Sequence, residues 1–163
     1  MQTYDAVLDF IPCRIGACFT GEALTRLHFL PGDTPLTGKL DDRARHLANE
    51  IDHYVHNPNH QFDLFFVPSG TPFQLRVGRA LLTIPAGHSL TYGALASQLK
   101  TAPRAVGQAC GSNALPLVIP CHRVVSAQGL GGFMHAASGA PTDIKAWLLQ
   151  HERDVSKRNG HAS

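Results

Sequence analysis

The chain has 163 residues, of which 44% are hydrophobic and only 16% charged, a length that fits one compact domain or a core with a smaller attached layer. Apolar material on that scale excludes a disordered chain, and no run approaches the ~18 consecutive apolar residues of a membrane span. The net charge of +2 hides a segregation: residues 1–68 carry nine acidic and five basic side chains, residues 69–163 three acidic and nine basic.

A basic half suits a polyanionic partner, although composition alone does not separate that reading from a chance segregation of solvated charges. The N-terminus has an early Asp5 and Asp9 and no basic start, so it does not read as a signal peptide. The expectation is a cytoplasmic, reducing compartment, nucleoid-associated if the source is bacterial, with cysteines 13, 18, 110 and 121 free of disulfides. No CxxC pair occurs, and Cys13, Cys18 and His28 match closed zinc spacings poorly, so no metal is expected.

In chain order, Ala6–Ile11 and Ala17–Leu30 alternate like strands, with Gly21-Glu22 as a turn, and suggest a hairpin. Asp41–His56 places Ala44, Leu47, Ile51 and Val55 at spacings of three or four, an amphipathic helix. His46, His53, His56 and His60 follow no metal spacing and read as surface residues of that helix and its loop. Phe62–Val67 reads as a short strand. Thr71-Pro72-Phe73-Gln74 then offers an N-cap, a Pro at the first helical position and a capping-box Gln, with the apolar face running through Ile84 to a stop at Pro85.

Thr91 caps a second helix and Thr101-Ala102-Pro103 starts a third that stops at Gly111. Two short helices joined by a tight turn form a helix-turn-helix candidate. Ile144–Leu149 opens a closing helix, and residues 154–163 read as a polar, frayed tail. Gly129–Gly132 carries no phosphate-loop pattern, so no nucleotide cofactor is expected.

Cys121 is the position that points to chemistry. It follows Pro120 and precedes His122 and Arg123, and a thiol becomes a nucleophile when a neighbouring cation or base stabilises its thiolate. Adjacent side chains on a regular strand face opposite ways. His122 therefore serves Cys121 only where the chain leaves strand geometry or a water bridges the two. Arg104, early in the second helix of the pair, sits where such motifs face nucleic acid.

The block Ile119-Pro120-Cys121-His122-Arg123-Val124-Val125 resembles the active-site signature of the O6-alkylguanine-DNA alkyltransferases. Further matches occur in the same order: Thr71-Pro-Phe-Gln74, Ile84-Pro85-x-Gly87, Tyr92-Gly93-x-Leu95-Ala96 and Arg104-Ala-Val-Gly107. They continue through Asn113, Gly131-Gly132-Phe133 and Lys145-x-Trp147-Leu-Leu149-x-x-Glu152. The resemblance implies a small ribonuclease-H-like α/β layer over 1–68. It implies a mainly helical DNA-binding and alkyl-acceptor domain with a helix-turn-helix over 69–153.

It also implies roles. Cys121 is the acceptor, irreversibly taking an alkyl group from O6 of guanine and also from O4 of thymine. His122 is the base, acting through a water, Glu152 orients it and Asn113 braces the site. Tyr92 assists the leaving guanine and presses on the DNA backbone. Arg104 enters the duplex where the damaged nucleotide turns out, and Arg123 is a further DNA contact. Val124, Phe133 and Met134 line the pocket. The implied partner is double-stranded DNA bearing O6-alkylguanine, met through the minor groove by a monomer, with no cofactor and no membrane.

Some positions depart from the family pattern. Met134-His135 follow Phe133 in a long 132–145 loop, Gly78 stands where Trp is common, and Ala114 replaces the usual Pro after Asn113. The alternative reading is a non-catalytic lesion-binding relative, in which the acceptor cysteine is replaced. Cys121 speaks against it. A transcriptional regulator would need a further Cys-rich domain, and a cysteine hydrolase an oxyanion motif that is missing.

Overall fold

The computed structural model describes residues 3–136 and 139–160, the side chains of the last two aside. The fold is mixed α/β, a small sheet plus helices, and the chain divides into two compact units, Met1–Pro68 and Ser69–Ser163. No described helix is long and apolar enough to cross a membrane.

In the first unit β1 (Ala6–Asp9), β2 (Arg14–Thr20) and β3 (Ala23–Leu30) form an antiparallel sheet in that order. The Gly21-Glu22 turn is where the sequence places it, with Thr20 opposite Ala23 and Gly21 at φ +58°, a conformation glycine adopts without steric cost. The expected hairpin across that turn is β2–β3, with β1 as the third strand, and β2 begins at Arg14 rather than Ala17. The expected strand over Phe62–Val67 shrinks to one parallel bridge, Phe66 against Leu24. There Leu24 donates to the Phe65 carbonyl and accepts from the Val67 amide.

Helix α1 (Asp42–His56) starts at Asp41, whose carboxylate accepts the Ala44 amide at 3.0 Å, satisfying one of the otherwise unpaired first-turn donors. It buries Ala44, Leu47, Ile51 and Tyr54. Tyr54 takes the inward place expected of Val55 and stacks on Phe62, ring centroids 5.9 Å apart.

In the second unit α2 (Pro72–Leu81) has the full capping box between Thr71 and Gln74. It ends earlier than its apolar pattern suggests. Thr83 and Ile84 bond back three residues, to Ala80 and Leu81, so Ile84 joins the core from a turn. Two-residue strands β4 (Leu90–Thr91) and β5 (Val124–Val125) pair in parallel.

Helices α3 (Tyr92–Leu99) and α4 (Pro103–Gly111) are joined through Lys100, which has a left-handed backbone. Thr91 caps α3 through the Ala94 amide, and Val77 and Leu81 of α2, Leu95 of α3 and Val106 of α4 are buried. Helix α5 (Ala140–Gly160) closes the unit. The expected frayed tail is corrected: 154–160 continue the helix, since Val155 is buried and Lys157 and Arg158 suit the negative end of the helix dipole. Residues 161–163, the rest of that expected tail, lie outside the described residues.

Candidate active site

The apolar run 115–119 ends at Pro120, and Cys121–Arg123 form a single 3-10 turn before β5. This departure from strand geometry is what the adjacent Cys121 and His122 required. Their side chains fan out from the turn instead of alternating across a sheet. All three residues of the turn are buried.

His122 and Arg123 converge on Glu152, which α5 supplies. His122 Nε2 lies 2.8 Å from Glu152 Oε2, and Arg123 donates to both carboxylate oxygens, at 3.0 and 2.9 Å. The third guanidinium nitrogen, Nη1, donates to the Ile84 carbonyl at 2.7 Å. Burial alone would raise the Glu152 pKa, but the hydrogen bonds and charges of His122 and Arg123 overcome it and bring the carboxyl down to about 2. Burial holds His122 below its ordinary value despite the carboxylate beside it. An ionised carboxylate only accepts, so a neutral His122 carries its proton on Nε2. Nδ1, buried and without a hydrogen-bond partner among the described residues, is left with a free lone pair.

Burial pushes the Cys121 thiol up to about 11, against a hydrogen bond from Asn113 and the charge of Lys145. Near neutral pH the resting group is therefore a thiol. Asn113 fixes the chain ahead of it, donating to the Ile119 carbonyl at 2.9 Å and accepting from the Leu115 amide at 3.0 Å.

Cys121 opens onto a cavity of about 320 Å³, lined also by Tyr92, Gln108, Cys110, Phe133, Met134 and His135. That is the small end of the range for ligand sites, a size for one nucleobase. Gly131 is required beside it. Its φ is +76°, and a Cβ there would come within 2.9 Å of the Tyr92 ring. Met134 and His135 form a tight turn with positive φ, bracketed by reciprocal Phe133–Ala136 backbone bonds at 2.8 and 2.9 Å. The His135 imidazole rests on Gly111, leaving no room for a Cβ, and meets the Ser112 hydroxyl at 3.2 Å.

Of the residues singled out from sequence, Cys121, Tyr92, Phe133 and Met134 share this cavity, while His122, Asn113 and Glu152 stand behind Cys121. Arg104 is exposed in the first turn of α4. Two expectations are corrected. Arg123 does not stand where a DNA contact would, because it is buried and its guanidinium is bonded to Glu152 and the Ile84 carbonyl. Val124 is fully buried in β5 and does not line the cavity. The 132–145 loop includes residues 137–138, which lie outside the described residues.

Lys145 is the residue that sequence reasoning passed over. Its ammonium is buried and donates to the Val124 and Gly132 carbonyls at 2.7 and 2.8 Å and to the Tyr92 hydroxyl at 3.4 Å. Desolvation lowers its pKa to about 8, and burial raises the Tyr92 phenol to about 12. The signal was present: residues 145, 148, 149 and 152 form one stripe of α5, with a cation and an anion at the ends of an apolar face. Cys110 lines the cavity together with Cys121. The cavity residues form no metal-ligating group among the described residues; His46, Glu50 and Asp63 do, in the first unit.

The family model for the DNA-binding domain of 6-O-methylguanine DNA methyltransferase matches residues 72–154. A methylated-DNA–protein-cysteine methyltransferase of Methanosarcina mazei is 40% identical over 119 residues, 71% of this chain and 72% of that protein. One of Mycobacterium tuberculosis is 38% identical over 132 residues, 79% and 72% of the two chains. The crystal structure of Mycobacterium tuberculosis OGT in complex with DNA superposes with a TM-score of 0.74 at 32% identity, covering 91% of this chain and 92% of that one. On this sequence identity, coverage and shared fold, the chain belongs to the methylated-DNA–protein-cysteine methyltransferase family.

Proposed function

We propose that this protein repairs DNA by transferring an alkyl group from O6 of guanine, and from O4 of thymine, irreversibly to its own Cys121. The observation that carries the reading is a buried thiol at the wall of a base-sized cavity, backed by an imidazole whose tautomer a buried carboxylate sets. The Cys121 sulfur attacks the alkyl carbon, the S–C bond forms as the C–O6 bond breaks, and the electron pair leaves with the guanine. The thiol proton passes through a bridging water to His122 Nδ1, and Glu152 stabilises the imidazolium that results. Such a base is needed because the resting group is a thiol.

Tyr92 offers its phenolic proton to the departing guanine, and Lys145 supports that phenol and the developing thiolate. A thioether has no easy leaving group, so each molecule acts once. The alkyl carbon of a stacked base cannot be reached in line, which requires the nucleotide to turn out of the duplex at a cost of a few kcal/mol. Arg104, exposed at the start of α4, is the side chain that enters the vacated stack.

We read α3 and α4 as a helix-turn-helix that meets DNA in the minor groove, and residues 1–68, three antiparallel strands and a helix, as a ribonuclease-H-like layer. We read the protein as a cytoplasmic monomer. The test is incubation with a duplex carrying O6-[methyl-³H]guanine. Label should move to protein at one equivalent and stop. Binding without label transfer would favour the lesion-binding alternative.

A further inference from the structure

We propose that His46, Glu50 and Asp63 form a binding site for a divalent transition cation of the zinc type. His46 and Glu50 are one helical turn apart on α1 and so share a face, and Asp63 comes from the segment that folds back along the helix. One ligand atom from each lies within 4.8 Å of the other two. In a tetrahedral zinc site with bonds of about 2.0–2.2 Å the donors stand about 3.3–3.6 Å apart. A pair at the 4.8 Å limit closes by about 1.2–1.5 Å, a movement that side-chain rotation at the exposed His46 and Asp63 supplies.

Glu50 is the built part of the site. It is 5% exposed, with one carboxylate oxygen accepting the Asp63 amide at 3.1 Å and the other bonded to His60. His60 is itself set by stacking on His53, ring centroids 5.0 Å apart. This is the outer-shell arrangement that orients a ligating carboxylate and leaves further lone pairs for a metal. His46 Nε2 sits 2.6 Å from the Asp63 carbonyl, which holds the ring over the same spot.

A clasp between α1 and the returning chain accounts for Glu50, His60 and the Asp63 amide. It does not require the Asp63 carboxylate to lie beside that of Glu50, where like charges repel; the His46 ring, held by the Asp63 carbonyl, closes the third side. A cation relieves the repulsion and uses all three groups. Imidazole with two carboxylates is the donor set of zinc and its neighbours rather than of a thiol-seeking ion.

The experiment is titration of the full-length, metal-free protein with Zn²⁺ by calorimetry and thermal shift, with Co²⁺ absorption as a second probe. One equivalent should bind, raise Tm by several degrees, and give a Co²⁺ spectrum without thiolate charge transfer. His46→Ala and Asp63→Asn, both at exposed positions, should abolish binding while leaving the metal-free Tm and alkyl transfer unchanged. His60→Gln should weaken affinity by about 10–100-fold. No binding at millimolar Zn²⁺, binding that survives both variants, or a thiolate band with Co²⁺ would each overturn the proposal.

Discussion

His122 Nε2 and Glu152 Oε2 meet at 2.8 Å with both side chains wholly buried. Thirty residues of sequence separate them, and the contact fixes which imidazole nitrogen is free to act as a base. Arg123, bonded to the same carboxylate, keeps it ionised. The three form one unit, in which Arg123 balances a charge that His122 must remain too poorly solvated to balance.

Removing one member of a buried ion pair leaves the other uncompensated, at a cost of about 3–5 kcal/mol. Glu152→Ala and Arg123→Ala should each lower unfolding free energy by that amount in urea titrations. A loss below 1 kcal/mol in both would show that the pair is solvated and not structural.

The pH dependence follows from the same groups. Glu152 is lowered from 4.5 to about 2 and His122 is lowered from 6.5, so the unfolded chain binds more protons than the folded one in acid. The stability these two groups contribute is therefore full above about pH 6.5 and is lost as pH drops, first through His122 and then through Glu152 between about 4.5 and 2. Thermal melts from pH 8 to 3 should show this loss. Glu152→Gln should flatten the part below 4.5.

Most of the second unit was legible in the sequence because its signals are local. The Thr71 capping box, the Thr91 cap, Pro103 and the Pro120 break each act within four residues. Arg123 was misassigned for the opposite reason. A basic residue beside the nucleophile looks like a phosphate contact, and only the fold brings Glu152 from 29 positions away to claim it. The last turns of α5 were missed because 154–160 are mostly polar, and among the described side chains there only Val155 is buried. The short bridge at Phe66 replaced a strand because an apolar run specifies burial but not a pairing partner.

Arg104 and Arg123 should separate cleanly. Arg104→Ala, at an exposed position, should leave stability within about 0.5 kcal/mol yet slow transfer from duplex far more than transfer from free O6-methylguanine. Equal slowing on both substrates, measured as second-order rate constants, would remove Arg104 from the base-turning step.

The high Cys121 pKa predicts slow reaction with general thiol reagents. Cys121 is 3% exposed and Cys18 half-buried, so maleimide at pH 7 should label Cys18 first. The Cys121 rate should keep rising with pH toward about 11. A plateau near neutral pH would mean that the thiolate is already formed at rest.

The central claim is that Cys121 itself accepts the alkyl group. Protein incubated with duplex containing O6-methylguanine, digested and analysed by peptide mass spectrometry, should show one added methyl on the Cys121 peptide, stoichiometric with the lesion consumed. Cys121→Ser should bind the duplex and gain nothing. An unmodified Cys121 peptide from folded, DNA-bound protein, or the methyl found on Cys110 instead, would contradict the account.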